Sequence, residues 1–364
     1  MSKIFWCNNC VLPSTRPNLK FNKNGICNAC ENKKIKISWK KRLILLKKII
    51  QFSKKKSINY DCIIPVSGGK DSTWQIFKCL SLGLKPLAIS WKPHLRTKIG
   101  YKNLNNLKNL GVDHMDITTN PKIEKKILLE TFKRKGSTAI SMHLGIFNIP
   151  LLVAKKFQIP LIVWGENSAA EYGYKNKKDI QSDLDYNWFK NYGVTNDVNF
   201  KELISYGFKK KDIYFYTPPN DKYKVKQIFL GNYIKWDPLQ VSYLAKKLGF
   251  KSAKKPKTGY YNFSDIDDDF ISIHHWMKYY KFGFTRLFDN LSIEIRNKRL
   301  SRNKAISIIK KSSFIPPKND INKFCKYVNI SFKQFLVIAE KFRNKKIWKK
   351  KNRNWVLTNP IKKI

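Results

Sequence analysis

Six residues between an apolar run and a helical stretch, Ser67-Gly68-Gly69-Lys70-Asp71-Ser72, constrain what this chain can fold into more than any other feature. YDCIIPV (60–66) reads as a buried strand, and TWQIFKCLSLG (73–83) reads as a helix ended by Gly83. Adjacent glycines let backbone N–H groups turn inward and approach an anion, while the following helix points its positive end at the same place. A strand, a glycine turn and a helix in that order predict a phosphate cradle.

The alternation continues along the chain. PLAISW (86–91), VDHMDIT (112–118) and PLIVWGEN (160–167) read as further strands, separated by helices predicted over 98–110, 121–134 and 147–156. The fold class is therefore α/β, a parallel sheet with helices on both faces, whose ligands bind at the carboxyl ends of the strands. From about 175 to 233 the chain is aromatic and irregular, and a helix is expected over 239–248. The last hundred residues hold helical patterns such as FISIHHWMKYYKFG, RNKAISIIKKS and SFKQFLVIAEKFRN, and the basic tail KKIWKKKNRNW reads as a solvated end.

The spacing of SGGKDS is too short for the G-x-x-x-x-G-K-[ST] loop of kinases and GTPases. It resembles the PP-loop, S-G-G-x-D-S, of the ATP pyrophosphatase superfamily, with an adenine nucleotide α-hydrolase-like fold. The resemblance implies that ATP is cleaved to AMP and pyrophosphate. Lys70 would neutralise phosphate charge, Ser67 and Ser72 would bond phosphate oxygens, and Asp71 would position the loop or the Mg²⁺ that accompanies ATP. Ser90 and Trp91, at the end of the second strand, would lie against adenine; plain packing is the competing role for Trp91. Glu166 and Asn167, followed by Glu171-Tyr172-Gly173, stand just past the fourth strand, where they could coordinate Mg²⁺ or grip a sugar hydroxyl, or form a loop turn with a helix-capping Asn. Asp265, Asp267, Asp268 and Asp269, ahead of His274 and His275, read as caps of a helix. Arg286, Arg296 and Arg302 read as surface residues in so basic a chain.

Cys7, Cys10, Cys27 and Cys30 form two C-x-x-C knuckles. Two such turns facing each other complete a tetrahedron of thiolates, the geometry of structural Zn²⁺, with an iron–sulfur cluster or unmetallated thiols as the alternatives, and the polar, turn-rich residues around them need a metal to hold them. The expected organisation is a zinc-binding four-cysteine module (1–38), a PP-loop ATP-binding α/β domain (39–245) and a helical C-terminal region (246–364). No stretch approaches the ~20 apolar residues of a membrane span and no apolar leader opens the chain, so a cytoplasmic location is expected. The formal net charge is +48, from 73 Lys+Arg against 25 Asp+Glu. A nucleic-acid footprint would be a clustered patch, whereas the basic residues are spread along the whole chain among many Asn and Ile, the usage an A/T-rich genome would force. Nucleic acid is not the expected partner, and peripheral contact with a membrane is left open.

Taken together, the knuckles, SGGKDS, WGEN…EYG and the downstream KFGFTR…SIEIR…LSRNKAI resemble the N-acetyl sugar amidotransferase family over nearly the full length. That resemblance implies an ATP-dependent amidotransferase of O-antigen or flagellar glycan biosynthesis. It would adenylate the N-acetyl oxygen of a nucleotide- or lipid-linked sugar and install ammonia-derived nitrogen as an acetamidino group. It also implies a separate glutaminase subunit with a cyclase-like, ammonia-channelling companion, since Cys62, Cys79 and Cys325 stand in no nucleophile setting. Ser141 and His143 depart from the family, whose members carry cysteines there. The rival is a PP-loop tRNA sulfur transferase, which would need further reactive cysteines in the α/β domain. A zinc-containing RNA-binding module without catalysis would leave SGGKDS without a purpose.

Overall fold

Four expected strands form in the computed structural model, which describes residues 4–181, 183–193, 198–219, 224–352 and 354–363. They are Cys62–Pro65 (β1), Pro86–Trp91 (β2), Asp113–Ile117 (β3) and Leu161–Trp164 (β4). A fifth, Lys226–Phe229 (β5), pairs with β4, and the sheet runs β3-β2-β1-β4-β5 with every ladder parallel. Alternate residues feed opposite faces, as the strand period requires. Ile64, Val66, Ala88, Val163 and Ile228 pack beneath the helices Trp39–Lys56, Lys70–Ser81 and Pro238–Lys247. Ile63, Leu87, Ile89, Ile162 and Phe229 pack beneath the helix Ile140–Lys156. Between β1 and β4 the strand order reverses, and in open α/β sheets that switch point is where the ligand crevice opens.

Three differences from expectation have physical causes. The helix read as 147–156 begins at Ile140, because Ser141, Leu144, Gly145 and Asn148 form a buried face continuous with Ile149 and Leu152. β5 lies in the stretch read as irregular: its four residues are too few to show a period, and only Ile228 and Phe229 are buried. The tail read as a solvated end is a hairpin, Trp348–Lys351 (β6) with Asn354–Leu357 (β7). Its lysines are exposed, but Ile347 and Trp348 are 2% and 4% exposed among Ile4, Trp6, Phe284 and Phe288. Burying side chains of that size stabilises by about 1.5–3 kcal/mol each, enough to hold so short a hairpin.

The C-terminal region is helical as expected: Ile271–Phe282, Arg286–Arg296, Arg302–Lys311, Lys318–Val328 and Phe332–Glu340. Its apolar faces do not form a separate core. One set joins Ile4, Trp6 and Val11 of the cysteine module, and another joins Leu128 and Phe132 of the helix Pro121–Lys135. That packing swings the segment 257–270 over the carboxyl ends of the sheet. Thr97 donates its backbone N–H to the Asp267 carbonyl at 3.0 Å, and Asn103 exchanges hydrogen bonds with the Lys251 backbone at 2.8 Å. No helix among the described residues is long and apolar enough to cross a membrane.

Candidate active site

The SGGKDS turn has the conformation its glycines allow. Gly68 sits at φ +85°, and a Cβ there would lie 2.7 Å from the backbone nitrogen of Leu104, so no side chain fits. Gly69 precedes the first turn of the helix Lys70–Ser81, and the Ser67 N–H donates to Ser72 Oγ at 3.0 Å, folding the loop on itself. Lys70 is 6% exposed. Its ammonium pairs with the Asp71 carboxylate and lies 5.4 and 5.6 Å from the ring centroids of Trp236 and Phe263. Trp236 Nε1 donates to the other Asp71 oxygen at 2.9 Å. A buried lysine held by one carboxylate and two rings is a cation for which a phosphate is a better partner.

In front of the loop is a cavity of about 220 Å³, lined by Ser67, Gly69, Lys70 and Asp71 and, opposite, by Glu166, Asp265, Asp267 and Arg286. Drug-sized ligands occupy roughly 300–1,000 Å³, so this space suits phosphate groups rather than a whole nucleotide. Burial, and the Asp71 charge next to it, push the Glu166 carboxyl up to about 7. A second cavity, of about 750 Å³, adjoins it and shares Tyr172, Asp265 and Arg286 as a common wall. It is lined by Arg16, Lys175, Lys190, Lys278, Lys281 and Arg286 against Asp265 and Asp289. Arg286 Nη1 donates to the Tyr172 hydroxyl at 3.2 Å, and its Nε lies 3.4 Å from Asp265 Oδ2. Burial works against the charged form of Asp265, yet Arg286 and His275 outweigh it and hold the carboxyl well below its usual range.

The structure brings Ser67, Gly69, Lys70, Asp71 and Glu166 to one cavity. Five expected residues do not line it: Gly68 lies behind the turn against Leu104, Ser72 Oγ accepts from the Ser67 N–H inside the loop, and Trp91, Ser90 and Asn167 are elsewhere. Trp91 is packed on the helix Ile140–Lys156, where a Cβ on Gly145 would meet its ring at 2.7 Å, and it lines neither cavity. Ser90 donates to Asp116 Oδ1 at 2.6 Å, a carboxylate that Arg96 also clasps at 2.5 and 2.8 Å, so its hydroxyl is committed to the sheet edge. Asn167 is a buried hub that caps the helix Ser168–Tyr172, the alternative role read for it in the sequence. Its oxygen accepts from Ala169 N–H at 2.9 Å and Trp188 Nε1 at 3.2 Å, and its amide donates to the carbonyls of Asp179 and Ile180.

Conversely, residues assigned to caps and surface belong to the site. Asp265 and Asp267 line the small cavity, and Asp265 adopts φ +58°, a left-handed turn that aims its carboxylate at Arg286. Asp269 pairs with Lys257 and Lys323, and of the four aspartates only Asp268 acts at the helix start, its Oδ1 accepting from the N–H of Phe270, the residue before the helix Ile271–Phe282, at 3.0 Å. Only the packing of the helix Arg286–Arg296 against the strand ends reveals Arg286. His143 lines the larger cavity, its imidazole lowered to about 4 by burial.

The four knuckle sulfurs lie within 4.8 Å of one another, all buried, and Cys10 Sγ is 3.7 Å from Cys27 Sγ. A tetrahedron with metal–sulfur bonds of ≈ 2.3 Å has sulfurs about 3.8 Å apart, so the set fits one Zn²⁺. The N–H groups of Asn9, Cys10 and Cys27 point at Cys7 Sγ from 3.3–3.4 Å. Arg302 Nε donates to the Cys7 and Cys10 carbonyls at 3.1 Å, placing a cation beside the thiolates. With every corner supplied by protein, zinc here would hold structure. What it holds is the site's own loop: Asn28 donates to the Tyr174 carbonyl at 2.8 Å and Asn32 to the Ala170 carbonyl at 3.0 Å, fastening the segment between Glu166 and Tyr174.

A parallel sheet whose first strand runs through SGGKDS into a helix, with a buried lysine and a phosphate-sized cavity at the switch point, is an open α/β domain with an anion-binding turn at its ligand crevice, and the turn carries the S-G-G-x-D-S sequence of PP-loops. Residues 257–362, which supply Asp265, Asp267 and Arg286, match the family described as "LPS biosynthesis protein WbpG-like, C-terminal domain". No curated protein matches the chain in sequence. Among solved structures, NMN synthetase from Francisella tularensis is similar at 13% identity, covering 81% of this chain and 94% of that one, with a TM-score of 0.36. U34-tRNA thiolase NcsA from Methanococcus maripaludis, with its 4Fe-4S cluster, is similar at 13% identity, covering 89% and 88%, with a TM-score of 0.33. NH3-dependent NAD synthetase from Campylobacter jejuni is similar at 16% identity, covering 61% and 99%, with a TM-score of 0.28.

Proposed function

We propose that the chain is an ATP-dependent amidotransferase acting on an N-acetyl sugar of a surface polysaccharide. The observation that supports this most is the pair of adjoining cavities: one sized for phosphates at the glycine turn, the other large enough for a second substrate, with Arg286 in the wall between. The amide oxygen of the sugar attacks the α-phosphorus of ATP, and pyrophosphate departs into the turn, gripped by Lys70 and the backbone N–H groups around Gly68 and Gly69. Arg286 faces the charge that develops between the two substrates. Ammonia then adds to the activated carbon. Glu166, poised near neutrality, takes the surplus proton, and the C–O bond to AMP breaks to leave an amidine. Mg²⁺ would be held by one or two of Asp71, Glu166, Asp265 and Asp267 together with phosphate oxygens, an all-oxygen set suited to it.

The cations of the larger cavity suit a sugar carried on phosphate, whether nucleotide- or lipid-linked. Every described cysteine is buried and none lines either cavity, which favours ammonia from a separate glutaminase with a cyclase-like channelling subunit and disfavours sulfur transfer. The reading is tested by pyrophosphate release. It should require an N-acetyl sugar phosphate conjugate and ammonia together; release that depends instead on tRNA and a sulfur donor would overturn it.

A further inference from the structure

The helix Trp39–Lys56 lies on the outside of the α/β domain and uses little of its surface to stay there. It buries Leu46, Ile50 and Ser53, spaced four and three apart, against the sheet side that holds Ile64 and Val163. The opposite face repeats the same spacing with Lys41, Leu45, Lys48, Phe52 and Lys55, every one exposed, and Ile44 beside them. Ile44, Leu45 and Phe52 are 48–49% exposed. Ile35 and Ile37 ahead of the helix and Ile58 behind it are exposed as well. Between residues 33 and 56 the chain has eleven Lys or Arg and no acid. Phe77, Leu239, Tyr243 and Leu244, exposed on the helices Lys70–Ser81 and Pro238–Lys247, extend the apolar character over the same side of the sheet.

We infer that this helix face docks on an anionic lipid surface. The charge selects the occupant. A second copy would bring Lys41, Lys48 and Lys55 against their own counterparts and is repelled. An RNA would be held by the lysines but would leave Ile44 and Leu45 with nothing apolar to enter. A bilayer surface satisfies both sets: the apolar side chains enter the boundary between head groups and acyl chains, and the lysine stems reach back to phosphate. The helix is pinned to the domain by its inner face, so it lies in the plane of the surface instead of crossing it.

Sedimentation with vesicles tests this on the full chain. The protein should pellet with phosphatidylcholine vesicles containing about one third phosphatidylglycerol and stay in solution with pure phosphatidylcholine. An I44S/L45S/F52S variant, altered only at exposed positions, should lose at least about tenfold in vesicle affinity while keeping its thermal midpoint, and K41Q/K48Q/K55Q should do the same. Failure of the unaltered chain to pellet with anionic vesicles overturns the inference. So does undiminished binding by the apolar variant, which would reduce the effect to diffuse charge. Lysine-dependent binding of a single-stranded RNA by a chain that ignores vesicles would assign the face to nucleic acid instead.

Discussion

The two adjoining cavities share Tyr172, Asp265 and Arg286, yet their linings carry opposite charge. The smaller sets Asp71, Glu166, Asp265 and Asp267 against Lys70 and Arg286; the larger sets six cations against Asp265 and Asp289. An acid-rich pocket binds phosphate well only when a divalent cation comes with it, whereas a base-rich pocket binds an anion directly. On the proposed function, the contrast puts the metal–nucleotide phosphates at the glycine turn and the second substrate on the other side of Arg286. The sharpest way to break it is Lys70→Ala, which removes the one buried cation of the turn. Pyrophosphate release should fall by about 10³-fold, with little change in the KM of the sugar. Equal damage to both parameters would mean that the cavities do not divide the labour.

Glu166 sharpens the comparison because it titrates where the acid-rich pocket works. Its folded-state carboxyl is raised to about 7, so it holds its proton below that pH and becomes a base above it. The rate of amidine formation should therefore rise as pH passes through 7, and Glu166→Gln should flatten that limb and cost about 10²-fold. The same shift runs the other way for stability. A carboxyl raised in the folded state favours folding below its unfolded pKa of about 4.3, and that contribution is lost as pH climbs through 7. The Gln variant should show a thermal midpoint less sensitive to pH over that window, a readout independent of turnover.

How much of this was legible before folding differs between the two pockets for a physical reason. The glycine turn announced itself because its requirements are local: φ +85° at Gly68, a helix start at Gly69 and apolar flanks that bury on both faces of a parallel sheet. The cysteine knuckles are local in the same sense, each pair on one turn. The wall between the cavities is not. Arg286 and Asp265 lie some two hundred residues beyond the turn, and in a chain with 73 Lys+Arg a single arginine gives no signal. Only the docking of the helical region across the strand ends makes it a site residue. Asn167 left two readings open for the converse reason, since a polar residue past a strand end looks the same whether it faces a ligand or, as here, caps the helix Ser168–Tyr172 and satisfies the backbone of Asp179 and Ile180.

The weakest expected effect bears on the larger cavity alone. Lys281 donates to the Lys135 carbonyl at 3.0 Å, and burial, with the Lys135 charge nearby, lowers its ammonium to about 8. A lysine so placed is charged below pH 8 and neutral above it, so an anionic substrate should bind progressively less well as pH rises through that value. In the unaltered protein the KM of the sugar conjugate should climb across pH 8, while the KM of ATP stays level. Lys281→Met should raise the sugar KM by about tenfold at pH 7, remove its rise across pH 8 and leave the ATP parameters as they were. If the variant shifts the KM of ATP instead, the nucleotide reaches past Arg286 into the larger cavity, and the division drawn from the two linings is wrong.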